Sequence, residues 1–183
     1  MVKRKFKFLD KKFNLPLCCL AAHTPSIAKI LDGKVDMILI GDSLASTLYG
    51  MKNTQGVTLE MMKMHGSAVI KYIKKSISII DMPFGTYENR PQALKNASYL
   101  IKHTKADFIK LETDEKKISI IKHLYNKNFN IIPHIGVTPQ SYDDFKKIKI
   151  LGKNKIERKE LVQLAIQLEN AGAKLLLVEC VTT

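Results

Sequence analysis

Residues 35–44 read Val-Asp-Met-Ile-Leu-Ile-Gly-Asp-Ser-Leu. A run this short and this continuously apolar suits a strand buried on both faces of a parallel sheet. The Gly41-Asp42-Ser43 that closes it marks the loop leading into the next element. Similar runs recur at Leu17–Ala22, Ile77–Ile80, Phe108–Leu111, Asn130–Ile132 and Leu175–Val178, each bounded by polar or turn residues.

Helical spacing fills the intervals. Thr58-Leu59-Glu60-Met61 opens a helix over 58–74 with a threonine cap and an acid in the first turn. Its apolar positions are Leu59, Met62, Ala68 and Val69. Further helices are expected over 91–103, with proline at the first position, over 114–126, and over 157–171, where Gly172 stops the last. Strands and helices alternating so regularly predict an α/β fold with right-handed crossovers and one parallel sheet. The sheet is expected to be either an open doubly wound sheet or a (β/α)8 barrel. Six strands are two short of a closed barrel, and 183 residues fall short of the ~250 such a barrel takes. Residues 1–183 are read as one domain.

Thirty Lys and Arg against seventeen Asp and Glu give a net charge of +13. Such an excess suits anionic partners, nucleic acid among them. The basic residues are spread along the chain, however, and arginine occurs only at Arg4, Arg90 and Arg158. No arginine-rich tract or aromatic–basic interleaving of the kind that stacks bases is present. Lysine-rich solvated faces and small anionic substrates account for the charge. No apolar run approaches the ~18 residues of a membrane span. Residues 1–14 are basic and precede Leu15–Ala22, but the apolar stretch is short and holds Pro16, so a buried strand is expected there rather than a signal peptide. Cys18, Cys19 and Cys180 make a poor disulfide framework, which fits a reducing cytoplasm.

In a parallel α/β sheet, chemistry gathers at the carboxyl ends of the strands. Those positions hold Asp42 and Ser43, Asp81, Lys110 with Glu112, His134 before Gly136, and Glu179. Lys110 and Glu112 are two apart and share one side of their strand. Taken singly, each has a plainer reading. Asp42 would serve as a helix cap and Asp81 as a turn residue; Lys110 and Glu112 would form a structural ion pair, His134 would be an ordinary core histidine and Glu179 a solvated side chain. Together, two or three carboxylates at one sheet mouth repel each other unless a cation neutralises them. Oxygen ligands in that setting suit Mg²⁺, which can chelate a 2-oxo acid and stabilise an enolate while another carboxylate acts as base.

The strings at 35–44, Val-Thr-Leu-Glu-Met-Met (57–62), Asp-Met-Pro-Phe-Gly-Thr-Tyr (81–87), Ile-Lys-Leu-Glu (109–112), His-Ile-Gly-Val-Thr-Pro-Gln-Ser (134–141) and Leu-Val-Glu-Cys-Val (177–181) resemble ketopantoate (3-methyl-2-oxobutanoate) hydroxymethyltransferase. The resemblance runs in order from about Leu20 to the last residue. It implies a (β/α)8 barrel of the phosphoenolpyruvate/pyruvate type, here incomplete at its C-terminal end, and a cytoplasmic step of pantothenate and coenzyme A synthesis. A hydroxymethyl group would pass from 5,10-methylenetetrahydrofolate to 3-methyl-2-oxobutanoate, giving 2-dehydropantoate. Asp42 and Asp81 would bind Mg²⁺, with Glu112 completing the metal site directly or through water. Ser43 and Lys110 would hold the substrate carboxylate, His134 would line the pocket, and Glu179 would be the base. A homo-oligomer is expected, with neither nucleic acid nor membrane as partner.

The chain departs from the family pattern at four places. Ala21-Ala22-His23 stands where the family has Thr-Ala-Tyr, and Ala45 replaces a glycine after Asp42-Ser43-Leu44. Thr113-Asp114 replaces glycines after Lys-Leu-Glu, and residues 142–147 replace a glycine-rich stretch. The family's seventh and eighth strands have no counterpart, so a truncated product or one part of a longer protein is expected. A homologue without turnover, and another metal-dependent enzyme making or breaking C–C bonds of 2-oxo acids, are the rival readings.

Overall fold

The computed structural model describes residues 16–182; the basic stretch at 1–14 lies outside them. Its elements alternate as expected: β1 (Cys19–Ala21), α1 (Pro25–Leu31), β2 (Met37–Ile40), α2 (Leu44–Tyr49), α3 (Leu59–Ile70), β3 (Ile77–Asp81), α4 (Arg90–Thr104), β4 (Phe108–Glu112), α5 (Ile118–Tyr125), β5 (Ile131–Gly136), α6 (Lys155–Asn170) and β6 (Leu177–Glu179). The six strands pair side by side in chain order, every pair parallel. A doubly wound sheet reverses its strand order at a switch point. No reversal occurs here, and the sheet curls as a partial barrel.

Alternation along the strands explains the curl. Ile38, Ile40, Ile80, Ile109, Leu111, Ile131 and Ile135 face outward into one large core with the helices. Met37, Ile77, Ile79, Phe108 and Ile132 face inward and cluster with Leu17, Leu39, Leu175 and Leu177. Successive side chains on a strand point to opposite faces, so a continuously apolar run feeds both clusters at once in β2 to β5. β1, expected as a buried strand, is instead exposed along its length, and β6 over most of its own, because each is an edge strand with a neighbour on one side alone.

The helices obey local rules. Thr58 caps α3 by accepting from Met61 N at 3.1 Å, and Asn89 caps α4 by accepting from Gln92 N at 2.9 Å. The face of α3 differs from the periodic reading: Ala68 is exposed, and Gly66 is buried against the sheet instead. A Cβ at Gly66 would come within 2.4 Å of Ile80 Cδ1 and 2.8 Å of Thr104 Cγ2, so only glycine lets α3 approach so closely. The helix expected over 114–126 is split, with a 3-10 turn at Glu115–Lys117 capped by Asp114 before α5 begins. Two short helices, α1 and α2, carry too few turns for periodicity to single them out. Strand β5 continues through Pro133, where the sequence reading stopped at Ile132. Its ladder goes on to pair His134, Ile135 and Gly136 with β6.

At the amino ends of the strands, the Asp32 carboxylate accepts from Lys75 N at 2.8 Å and Ser76 N at 2.9 Å. Partial burial works against its ionised form, but the amides of Ser76 and Lys75 prevail and hold it below the ordinary carboxylate range. All three cysteines are free thiols. No helix among the described residues is long and apolar enough to cross a membrane.

Two stability measurements check this account. Gly66→Ala should lower urea-unfolding stability by about 1–3 kcal/mol through overpacking, overriding the usual helix-propensity gain of about 1 kcal/mol. Asp32→Ala should cost about 1 kcal/mol at neutral pH by removing charge-assisted bonds to the backbone. Because the Asp32 pKa is depressed in the folded state, that difference should be full above the unfolded-state carboxylate pKa. It should vanish as the parent protein is acidified through the lower folded value.

Candidate active site

The inward-facing row of each strand changes character at its carboxyl end. Ile77 and Ile79 are followed two steps on by Asp81, Phe108 by Lys110 and then Glu112, Ile132 by His134, and Leu175 and Leu177 by Glu179. Strand register sets Asp81 beside Lys110, Glu112 beside His134, and Gly136 beside Glu179. Parallel pairing thus brings side chains from four strands onto one rim.

Lys110 joins them. Its Nζ lies 3.1 Å from Asp81 Oδ2 and 3.4 Å from His134 Nδ1, with the lysine almost fully buried. Burial alone would favour the neutral amine, but the carboxylates of Asp81, Asp42 and Glu112 outweigh it and raise the pKa, so the lysine stays charged. An ammonium only donates, which makes His134 Nδ1 an acceptor and assigns the ring proton to Nε2. That nitrogen lies 3.1 Å from Glu179 Oε2, off the axis of a straight hydrogen bond. Burial, with Lys110 adding to it, holds His134 neutral. Contact with His134 keeps the Glu179 carboxyl below its ordinary range, although the side chain is 48% exposed. Glu179 is therefore ionised and open on one side.

Asp81 is also tied to Asp42: Asp42 N donates to Asp81 Oδ2 at 3.0 Å. Asp42 thus does not cap α2; the boundary residue there is Ser43. Burial pushes Asp81 up to about 7 despite Lys110, with the Asp42 charge adding to the rise, and pushes Glu112 up to about 8. Burial raises Asp42 as well. Burial is what lifts all three, and with one ammonium among three carboxylates their mutual repulsion adds to the rise.

Gln140 is the residue that sequence reasoning missed. The 3-10 turn Pro139–Ser141 buries it at the centre of the rim. Its Nε2 donates to Asp42 Oδ2 at 2.6 Å and to Met82 O at 3.0 Å, while its backbone N donates to Glu112 Oε2 at 2.9 Å. Tyr87 OH donates to its Oε1, and Gln55 Nε2 to its backbone oxygen at 2.9 Å. The signal was present in the Thr-Pro-Gln-Ser string: a proline-started turn one βα loop away from Glu112 can deliver an uncharged donor between two acids.

Asp42, Asp81 and Glu112 are thus linked, the first two directly and the third through Gln140. Among the described residues, no group of three or more His, Cys, Asp or Glu side chains stands at metal-holding distances. Asp81 Oδ1 and Glu112 Oε1 are nonetheless buried without a hydrogen-bond partner. Open carboxylate oxygens on a rim with excess acid fit a hard divalent ion, which commonly takes one or two carboxylates and completes its shell with water and substrate.

Gly136 sets the spacing of this rim. Its φ of +88° suits glycine, and a Cβ there would fall 2.3 Å from the backbone oxygen of Glu179. The absence of a side chain is what lets β6 bring Glu179 against His134.

Comparison with known proteins agrees with this fold. Crystal structures of phosphonopyruvate hydrolase in complex with oxalate and Mg²⁺ (TM-score 0.67, 16% identity, 96% of this chain and 62% of that one) and of 2,3-dimethylmalate lyase, a PEP mutase/isocitrate lyase superfamily member (TM-score 0.66, 13% identity, 96% and 62%), share the fold. Curated 3-methyl-2-oxobutanoate hydroxymethyltransferases are closer in sequence. That of Pelagibacter ubique is 41% identical over 181 residues, spanning 99% of this chain and 69% of the relative, and that of Rhizobium rhizogenes is 40% identical over 169 residues, spanning 92% and 62%. The chain therefore spans about three-fifths to two-thirds of the length of these relatives. With the family model for ketopantoate hydroxymethyltransferase matching residues 4–183 as well, the chain belongs to the ketopantoate hydroxymethyltransferase family.

Proposed function

We propose that this chain carries the site at which a hydroxymethyl group passes from 5,10-methylenetetrahydrofolate to 3-methyl-2-oxobutanoate, forming 2-dehydropantoate in the cytoplasm. Its six βα units would be six of the eight of a (β/α)8 barrel, acting as one catalytic domain. The observation that carries this reading is the continuous row Asp81–Lys110–His134–Glu179 across the tips of β3 to β6. A fixed positive charge, Lys110 paired with Asp81, stands toward one end of it, and the ionised, half-exposed carboxylate of Glu179 at the other.

Each residue then has a physical task. Lys110 offers a buried point charge to the substrate carboxylate, with the Ser43 hydroxyl as a further donor. His134, neutral and protonated on Nε2, orients Glu179 and keeps it ionised. Glu179 removes the proton from the carbon beside the keto group, using the carboxylate edge turned away from His134. That carbon then bonds to the folate methylene carbon as one of the two methylene C–N bonds breaks. Water replaces the second C–N bond to supply the hydroxyl, and tetrahydrofolate leaves with the two protons released from the substrate carbon and the water. Asp42 and Asp81 would hold Mg²⁺, with Glu112 joining directly or through water, and Gln140 fixes the outer edges of Asp42 and Glu112. Bound there, Mg²⁺ would stabilise the negative charge that develops on the keto oxygen.

Deuterium exchange at the carbon beside the keto group, followed by NMR with Mg²⁺ and no folate, isolates the proton-transfer step. Glu179→Gln should slow it by about 10²–10⁴-fold while changing Mg²⁺ affinity little; equal rates would remove Glu179 as the base. Gln140→Leu should weaken Mg²⁺ binding, measured by calorimetry, by about 10–100-fold, the usual effect of losing a group that holds metal-binding carboxylates in place.

A further inference from the structure

Ser43 begins α2, yet its hydroxyl makes no capping bond to that helix. Its Oγ instead sits 3.2 Å from Nε2 of His23, a buried residue just beyond the end of β1. The other ring nitrogen of His23, Nδ1, is buried with no hydrogen-bond partner among the described residues. A second histidine engages the same residue from behind. His65 on α3 places Nδ1 3.2 Å from the His23 carbonyl oxygen, and Tyr49 OH lies 2.8 Å from His65 Nε2. A carbonyl only accepts, so His65 carries its proton on Nδ1 and accepts from Tyr49 at Nε2. Tyr49 is the last residue of α2. The helix is therefore held to His23 at both ends, through the ring at its start and through the carbonyl at its finish.

We propose that His23 is a positioning residue for substrate binding: its Nε2–H donates to Ser43 Oγ and leaves the serine proton free to donate to the carboxylate of the 2-oxo acid. The inference rests on the role given to Ser43 in the proposed function. Burial and the neighbouring His65 keep the His23 ring neutral, with a single N–H. Placed on Nδ1, that proton would be a buried donor without an acceptor, the rarer kind of orphan. Placed on Nε2, it is used. A Cβ on Gly41 would meet Ser43 Oγ at 3.0 Å, Asp81 Oδ2 at 3.4 Å and His23 Cε1 at 3.6 Å. Three polar residues thus converge on one side of Gly41, where any side chain would crowd the serine hydroxyl.

Two measurements on the full chain test this. Long-range proton–nitrogen NMR should find His23 protonated on Nε2 and His65 on Nδ1; a His23 ring protonated on Nδ1 overturns the proposal whatever the enzyme does. Calorimetric titration with 3-methyl-2-oxobutanoate and Mg²⁺ supplies the second. His23→Phe should weaken binding about 3- to 10-fold, the scale of one neutral hydrogen bond, and His23→Gln, which retains an amide donor, should recover most of it. In a Ser43→Ala background, His23→Phe should add nothing, because the two residues act through one bond. An additive loss, or unchanged binding in His23→Phe, overturns the positioning role while leaving Ser43 as a ligand. Unchanged binding in Ser43→Ala overturns the Ser43 assignment and this inference with it. Should His23→Phe fail to fold, judged by circular dichroism, His23→Asn takes its place against His23→Gln in the same comparisons.

Discussion

A charged lysine buried among acids is the constraint on which the rim depends. Lys110 sits in the interior of the sheet with Asp81 at 3.1 Å and the carboxylates of Asp42 and Glu112 close enough to raise its pKa. Taking such charges out of water costs several kcal/mol each, and their attraction offsets that only when the geometry holds. The geometry holds because Asp81, Lys110 and Glu112 hang from strands fixed by their neighbours in the ladder, while Asp42, on the loop after β2, is tied to Asp81 by its own backbone N–H.

The same constraint explains why the surrounding loops look as they do. Three carboxylates exceed one ammonium, and the remaining oxygens must find donors. Gln140 supplies two of them, its side-chain amide to Asp42 and its backbone N–H to Glu112, and the Asp42 amide supplies another to Asp81. Among the described residues, the buried carboxylate oxygens still without a hydrogen-bond partner belong to Asp81 and Glu112, two of the side chains expected to meet a cation. Uncharged donors at the rim therefore do more than fill space. They fix which oxygen of each acid is spent inside the protein and which is left over.

Much of the architecture was legible because strand burial leaves a pattern that survives without coordinates. All six apolar runs are strands, their order is the order in the chain, and the residues expected at their tips do gather on one rim. Legibility failed where the deciding contact lay far away in sequence. Gly66 lies on the helical face of Met62 and Val69, about 200° from Ala68. A glycine, however, has no apolar side chain to mark that face in the sequence, and it is the close approach of Ile80 and Thr104 that shows why it is buried. Pro133 reads as a strand end, yet the ladder with β4 carries β5 through it and that with β6 takes it on to Gly136. Gln140 lies within Thr-Pro-Gln-Ser with nothing local to single it out, since a glutamine's role depends on which acceptors surround it.

The sequence by itself determined the alternation of elements, the parallel sheet and the identity of the ionisable groups, because period-two burial and strand-end chemistry are local properties of the chain. Tertiary structure alone decided which acid pairs with Lys110, which nitrogen of His134 carries the proton, and that Asp42 turns to Gln140 instead of capping a helix. Those outcomes turn on distances between residues as many as 98 positions apart. Electrostatic interaction in a buried site changes steeply over an ångström or two, and only the folded backbone sets separations that finely.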